Sequence, residues 1–222
     1  MRLKKYLYLL ILLFSCFYSN AEDLDVYLRS KGLVDISELD STVRVELVYA
    51  TSDNFMGEAV YAGITRAWLH PDAARKLVAA QRLLKKEYPD RTLLVYDAAR
   101  PMSVQHKMWK LVRGTNKVNY VSNPANGGGL HNYGMAVDVT ILDENGNPLP
   151  MGTPFDFFGE EAHTNNEEAL LNAGKIDQTA FDNRRLLRRI MRNAGFRIIP
   201  YEWWHFNACS RAEARQNYPV LD

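Results

Sequence analysis

Residues 135–142, MAVDVTIL, carry one charge in an otherwise uncharged, mostly apolar run. Such a run reads as a strand, and side chains of a strand alternate between its two faces. Val137, Val139 and Ile141 then share one face, the natural core face. Ala136, Asp138 and Thr140 share the other, so Asp138 is expected to point into a cleft, with small Ala136 leaving room beside it. The approach is equally constrained. Gly127, Gly128 and Gly129 deliver His131, and Gly134 lets the chain turn so that His131 and Asp138 can converge. A fold of this chain must place one aspartate and one histidine together at the end of a buried strand.

A second polar cluster lies near the C-terminus, in Glu202-Trp203-Trp204-His205. A catalytic zinc site needs three protein ligands and one open position. His131, Asp138 and His205 are nitrogen and oxygen ligands of the right kind. Such a site also needs a carboxylate that is not a ligand, to take a proton from water, and Glu202 is the candidate. It needs a cation near the developing oxyanion. Arg100 suits this role because Pro101 holds its backbone extended. On a regular strand Glu202 and His205 face opposite ways, so both serve one site only if the chain bends there. Pro200 makes an irregular start plausible. Singly, each residue has a plain alternative: Asp138 capping a turn, Glu202 in a surface ion pair, Arg100 paired with Asp97. His70, His106 and His163 fit no pattern and read as structural or surface residues.

The first 21 residues differ from the rest. Arg2, Lys4 and Lys5 precede the apolar run 7–14, which is short for a bilayer span. Ser19-Asn20-Ala21 supplies small residues before a cleavage after Ala21. This is the layout of a secretory signal peptide (1–21), leaving residues 22–222 as one exported, periplasmic domain with no stable membrane span. A lipid anchor at Cys16 is the alternative, though Phe14 fits a lipobox poorly. Cleavage would remove three basic and no acidic residues, leaving 24 basic against 26 acidic. Nucleic-acid binding, which calls for a basic stripe, is not expected. The mature chain would keep one cysteine, Cys209, and so no internal disulfide.

The remaining periodicities predict an α+β fold: one compact domain with a mainly antiparallel sheet, flanking helices and a zinc site in a central cleft. Strands are expected at 43–50, 92–96, 135–142, 196–199 and 203–206. Helices are expected at 71–88, at 103–112 capped by Ser103, and at 179–194 stopped by Gly195. Residues 114–130 read as a long Gly/Asn/Ser loop, 151–158 as an aromatic-rich loop, and Asn145-Gly146 as a hairpin turn.

The motifs occur in a revealing order. The pattern H-x-x-G-x-A-x-D at 131–138, followed by E-W-W-H at 202–205, resembles the zinc D,D-peptidase family. The runs Y-D-x-x-R-P at 96–101, N-F-M-G at 54–57 and M-G-T-P-F-D-F-F at 151–158 narrow the resemblance to VanX-type D-alanyl-D-alanine dipeptidases. The resemblance spans about 24–218. It implies one Zn²⁺ held by His131, Asp138 and His205, Glu202 as catalytic base, Arg100 as transition-state stabiliser and Asp97 as a supporting residue. It implies Asp156 near the substrate's amino terminus, and the dipeptide D-Ala-D-Ala as substrate. Carboxypeptidase or endopeptidase action on peptidoglycan stems, and a non-catalytic zinc-binding module, are the alternatives. One departure stands out. Relatives often carry serine two residues before the first zinc histidine, where this chain has Gly129, so any bond to the substrate carboxylate must come from elsewhere, such as a backbone N–H.

Overall fold

The computed structural model describes residues 24–222 apart from 62, 63 and 65. The expected signal peptide lies outside the described residues. In chain order the elements are α1 (24–30), β1 (Val34–Asp35), α2 (Ile36–Leu39), β2 (Arg44–Val45), β3 (Trp68–Leu69), α3 (Pro71–Glu87), β4 (Thr92–Asp97), α4 (Met102–Val112) and β5 (Ala136–Leu142). They continue with α5 (Glu167–Asn172), α6 (Gln178–Asn193), β6 (Arg197–Ile198), β7 (His205–Asn207) and α7 (Arg211–Asn217). The α+β class holds. The main sheet has the order β2-β4-β5-β7-β6, antiparallel except for the β2–β4 pair. A two-stranded antiparallel ribbon, β1-β3, stands apart.

β5 is the centre of the sheet, and all seven of its residues are buried. The face that carries Asp138 is therefore as enclosed as the valine face. Helices α3 and α6 present apolar stripes, including Leu77, Leu84, Leu187 and Ile190, to one core. Pro71 sits in the first turn of α3, where its missing N–H is harmless, and the His70 ring accepts from the Asp72 N–H to cap the helix. Asp177 caps α6 by accepting from the Ala180 N–H.

Three expected elements differ. The alternating run 43–50 is a strand only over Arg44–Val45, and the chain then tightens into a 3₁₀ turn at Val48–Ala50. That turn buries Tyr49 rather than continuing the sheet edge. Helix α4 begins at Met102 with Pro101 at its cap and no side-chain cap bond, so Ser103 lies inside the first turn. The last strand starts at His205, not Trp203. The long loop before His131 is organised by 3₁₀ turns at Val118–Tyr120 and Pro124–Asn126.

Candidate functional site

Register brings the polar residues together. Asp138 on β5 pairs directly with His205 on β7, and on its other side with Asp97 on β4. A bulge between Val95 and Asp97 makes the second pairing possible, adding one residue so that Asp97 falls in line. Three polar residues thus lie abreast across three adjacent strands, at the spacing where cross-strand side chains touch. His131 arrives from the 3₁₀ turn Leu130–Tyr133, which Gly134 ends at φ 63°. A Cβ on Gly134 would also stand 3.0 Å from the His70 backbone nitrogen, so only glycine fits there. The turn is laced to the chain after β4: Arg100 N–H donates to His131 O (3.0 Å), and Asn132 Nδ2 donates to Arg100 O (2.8 Å).

The tautomers follow from the partners. A carbonyl can only accept, so His131 Nδ1–H donates to Ala98 O at 2.7 Å and Nε2 keeps its lone pair. His205 Nε2–H donates to Asn207 Oδ1 at 2.8 Å, leaving its Nδ1 bare. These two bare nitrogens stand 3.1 Å apart, and Asp138 Oδ1 lies 3.0 Å from one and 3.3 Å from the other. Three lone pairs facing one another repel unless a cation lies among them. Donor atoms about 2.0–2.1 Å from one divalent ion stand about 3.0–3.4 Å apart in four- to six-coordinate geometry. The trio therefore fits a metal cofactor, with all three donor atoms within 3.3 Å of one another.

Electrostatics sharpen the fit. Burial would raise the Asp138 carboxyl, but His131 and His205 outweigh burial and hold it well below the usual carboxylate range. Burial would lower His131, but Asp138 and Asp97 outweigh it and leave the imidazole raised. Glu202 stands outside the trio with its Oε2 3.8 Å from His205 Nδ1. Residues 201–204 are irregular, which supplies the bend needed to turn Glu202 and His205 to one site. Burial pushes Glu202 up to about 8. A dication in the trio would pull it back toward the carboxylate form.

Arg100 is buried and doubly held. It pairs with Asp97 and donates from Nη1 to Gln105 Oε1 at 3.0 Å, and its guanidinium lies 5.3 Å from the Tyr49 ring centroid. Burial would lower Arg100, but Asp97 and its neighbours outweigh burial and keep it firmly charged. Asp97 is saturated in turn, receiving Tyr61 OH (2.6 Å) and the Ala98 N–H (2.9 Å). The plain alternative, an Arg100–Asp97 pair, is thus present, and the same arginine also lines the cavity. Asp156 lies in the aromatic loop at φ 59°, with Tyr49 OH 2.9 Å from both carboxylate oxygens. Burial pushes its carboxyl up to about 7.

Arg100, His131, Asp138, Asp156, Glu202 and His205 line one cavity of about 370 Å³, near the small end of ligand pockets, whereas Asp97 lies behind its wall. Aromatic residues from separate loops pack beside it. Phe158 stacks on Tyr120 (4.8 Å between centroids) and meets Phe55 at 4.9 Å. Sequence reasoning missed Tyr49, Gln105 and Asn207. Asn207 had a readable signal, since it follows His205 by two and shares its strand face. Tyr49 had none, being one aromatic residue in an alternating run. His70 caps α3, and His163 bonds Tyr120 OH at 2.9 Å, so neither joins the trio.

Known proteins place the chain in a lineage. Residues 29–221 match the profile of the peptidase family described as D-ala-D-ala dipeptidase. A D-alanyl-D-alanine dipeptidase of Escherichia coli (strain K12) is 34% identical over 189 residues, covering 85% of this chain and 89% of the relative. A D-alanyl-D-alanine dipeptidase of Enterococcus faecium is 30% identical over 195 residues, covering 79% of this chain and 90% of the relative. The chain belongs to the D-Ala-D-Ala dipeptidase family of peptidases.

Proposed function

We propose that this enzyme hydrolyses free D-alanyl-D-alanine to two D-alanines, with zinc as its metal. The observation that carries the reading is a buried trio of two imidazoles and one carboxylate with a second, non-bonded carboxylate beside it. Zinc held by His131, Asp138 and His205 would supply a Lewis acid for the scissile carbonyl and an acidified water. Glu202 takes the proton of the attacking water and returns it to the leaving amine. Its position off the metal trio and its burial suit a group that must both hold and release a proton near neutrality. Arg100, fixed by Asp97 and Gln105, faces the charge that develops on the carbonyl oxygen. Asp156, steadied by Tyr49, receives the substrate ammonium. A cavity of about 370 Å³ flanked by packed aromatics favours a free dipeptide over a stem peptide, which needs an open groove.

The basic start and apolar run of residues 1–21 support action outside the cytoplasmic membrane, on dipeptide released from or destined for the cell wall. No helix among the described residues is long and apolar enough to cross a membrane.

The test joins metal analysis to turnover on D-Ala-D-Ala and on a pentapeptide stem. The expected result is about one zinc per chain and hydrolysis of the dipeptide alone. Glu202→Ala should keep its metal and lose about 10²–10⁴-fold in kcat. Near-normal turnover by that variant would remove Glu202 from the mechanism, and preferential cleavage of the stem would replace the dipeptidase reading with a carboxypeptidase one.

A further inference from the structure

Three arginines line the cavity, and two are committed. Arg100 is tied to Asp97 and Gln105, and Arg197 lies 3.6 Å from Glu213. Arg211, the first residue of α7, has no carboxylate within 4.0 Å among the described residues. Its Nη2 donates instead to Ser122 Oγ at 3.2 Å. Ser122 thereby uses a lone pair, and its own hydroxyl hydrogen has no acceptor among the described residues. One charged donor and one neutral donor therefore remain uncommitted on the cavity wall.

Their place is defined by two neighbours. Gln105 Nε2 donates to Ser122 O at 2.7 Å, while its Oε1 accepts from Arg100, so one side chain separates Ser122 from Arg100. Ser122 also packs on Gly129, two residues before His131. A Cβ on Gly129 would come within 3.0 Å of Ser122 Oγ and 3.3 Å of Ser122 Cβ. Gly129 has φ −103°, which any residue adopts, so space and not backbone excludes a side chain there. The seat beside the His131 turn is filled by a hydroxyl from seven residues before Gly129 in the same loop. The Gly129 N–H cannot substitute for it, because it donates to Asn132 Oδ1 at 2.9 Å.

A free dipeptide is a zwitterion, and its carboxylate lies only one residue beyond the scissile bond. An anion so near the reacting carbonyl needs donors next to Arg100 and His131 that no protein carboxylate has claimed. We propose that Ser122 Oγ and the Arg211 guanidinium form the subsite that holds the substrate's free C-terminal carboxylate, an inference that rests on the dipeptidase reading. Ser122 donates its free hydrogen. Arg211 donates its remaining N–H groups and orients Ser122 by the bond already present. The pair selects free acids over amides of the same dipeptide.

The experiment compares kcat and KM for D-Ala-D-Ala and its C-terminal carboxamide, read as D-alanine release by the zinc-loaded enzyme. Wild type should prefer the free acid by about tenfold or more, as expected for losing a charge-assisted hydrogen bond. Arg211→Gln should raise KM for the acid by about tenfold and bring the two substrates within about threefold of each other. Arg211→Lys should retain part of the preference, since it keeps the charge without the fork. Ser122→Ala should lose less than Arg211→Gln, and Ser122→Ala/Gly129→Ser, which moves the hydroxyl across the contact, should recover part of that loss. Equal use of both substrates by wild type, or wild-type preference in both Arg211→Gln and Ser122→Ala, would overturn the subsite while leaving the dipeptidase reading intact. Hydrolysis of neither substrate by wild type would overturn that reading and the subsite with it.

Discussion

Asp156 is the one non-glycine residue with positive φ among the described residues. Asparagine and aspartate tolerate this left-handed conformation better than other side chains. Asp156→Asn therefore keeps the backbone, and its amide oxygen can still accept from Tyr49 OH. What changes is the titration. Burial raises the Asp156 carboxyl to about 7, against about 3.9 in an unfolded chain. Between those values the native state binds more protons than the unfolded state, so this group makes stability fall as pH rises from about 4 to about 7. Asparagine does not titrate. In metal-free protein the variant should gain melting temperature relative to wild type as pH rises through this window, with a plateau above it. Thermal melts at pH 4.5 and 8 check this, and a gap that is equal at both would show that the carboxyl is not held protonated. In the metal-loaded enzyme the same variant should raise KM for the dipeptide by about tenfold through loss of the ammonium's charged partner. Asp156 is thus a desolvated acid in a left-handed backbone that costs stability as pH rises, and under the proposed function it is the charge that meets the substrate ammonium. Asp156 was legible only through its surrounding motif, because nothing in its own neighbourhood announces a left-handed backbone or Tyr49 from 107 residues away.

At the scale of elements, the β2–β4 pair shows where sequence periodicity stops. Alternation over 43–50 predicts a full strand, but only Arg44–Val45 joins the sheet, in parallel with Leu94–Val95. Parallel pairing of so short a strand needs help from elsewhere. Gln81 on α3 provides it: Leu93 N–H donates to Gln81 Oε1 at 2.9 Å, and Gln81 Nε2 donates to Thr42 O at 3.2 Å. Gln81→Met keeps the length of the side chain and strands the buried Leu93 N–H. Stability should drop by about 1–3 kcal/mol, the cost of a buried donor without a partner. Urea denaturation checks this, and an unchanged midpoint would mean that the sheet edge holds without Gln81. Turnover well below the transition should persist, because the Gln81 side chain bonds Thr42, Thr92 and Leu93, none of which belongs to the trio. The helices were easier to read, since Pro71 and Gly195 mark ends by local chemistry, although the Asp177 cap that starts α6 at Gln178 was not read. Strand β5 was legible from its apolar run. Its pairing with β7, which sets Asp138 against His205 across 67 residues of chain, is a property of register that no local pattern encodes.

At the scale of the whole molecule, the metal trio joins the centre of the sheet to the 130–133 turn and to the last strand, so a bound ion would cross-link segments far apart in sequence. An ion that binds only the native state stabilises it by about 4 kcal/mol at a thousandfold excess over Kd. For a domain of this size that is about 8–16 °C in melting temperature, so removal of metal by a chelator should lower the melting temperature by that order. Protons compete for the same lone pairs. His131 is raised above the ordinary imidazole value of about 6.5 because Asp138 and Asp97 outweigh its burial. Protonation of His131 therefore begins above that value and deepens as pH falls, and each proton bound must leave before metal can enter. Metal affinity should weaken steadily from pH 8 to pH 6, with proton release on binding at neutral pH. Competition against a chelator of known affinity, repeated across that range with the chelator's own protonation accounted for, measures it. Affinity that does not change with pH would mean that the trio is already proton-free at pH 6, and that the carboxylates around His131 do not govern its charge. The chelator-induced fall in melting temperature should shrink in parallel, because the proton that displaces the metal also relieves the repulsion among the three bare donor atoms.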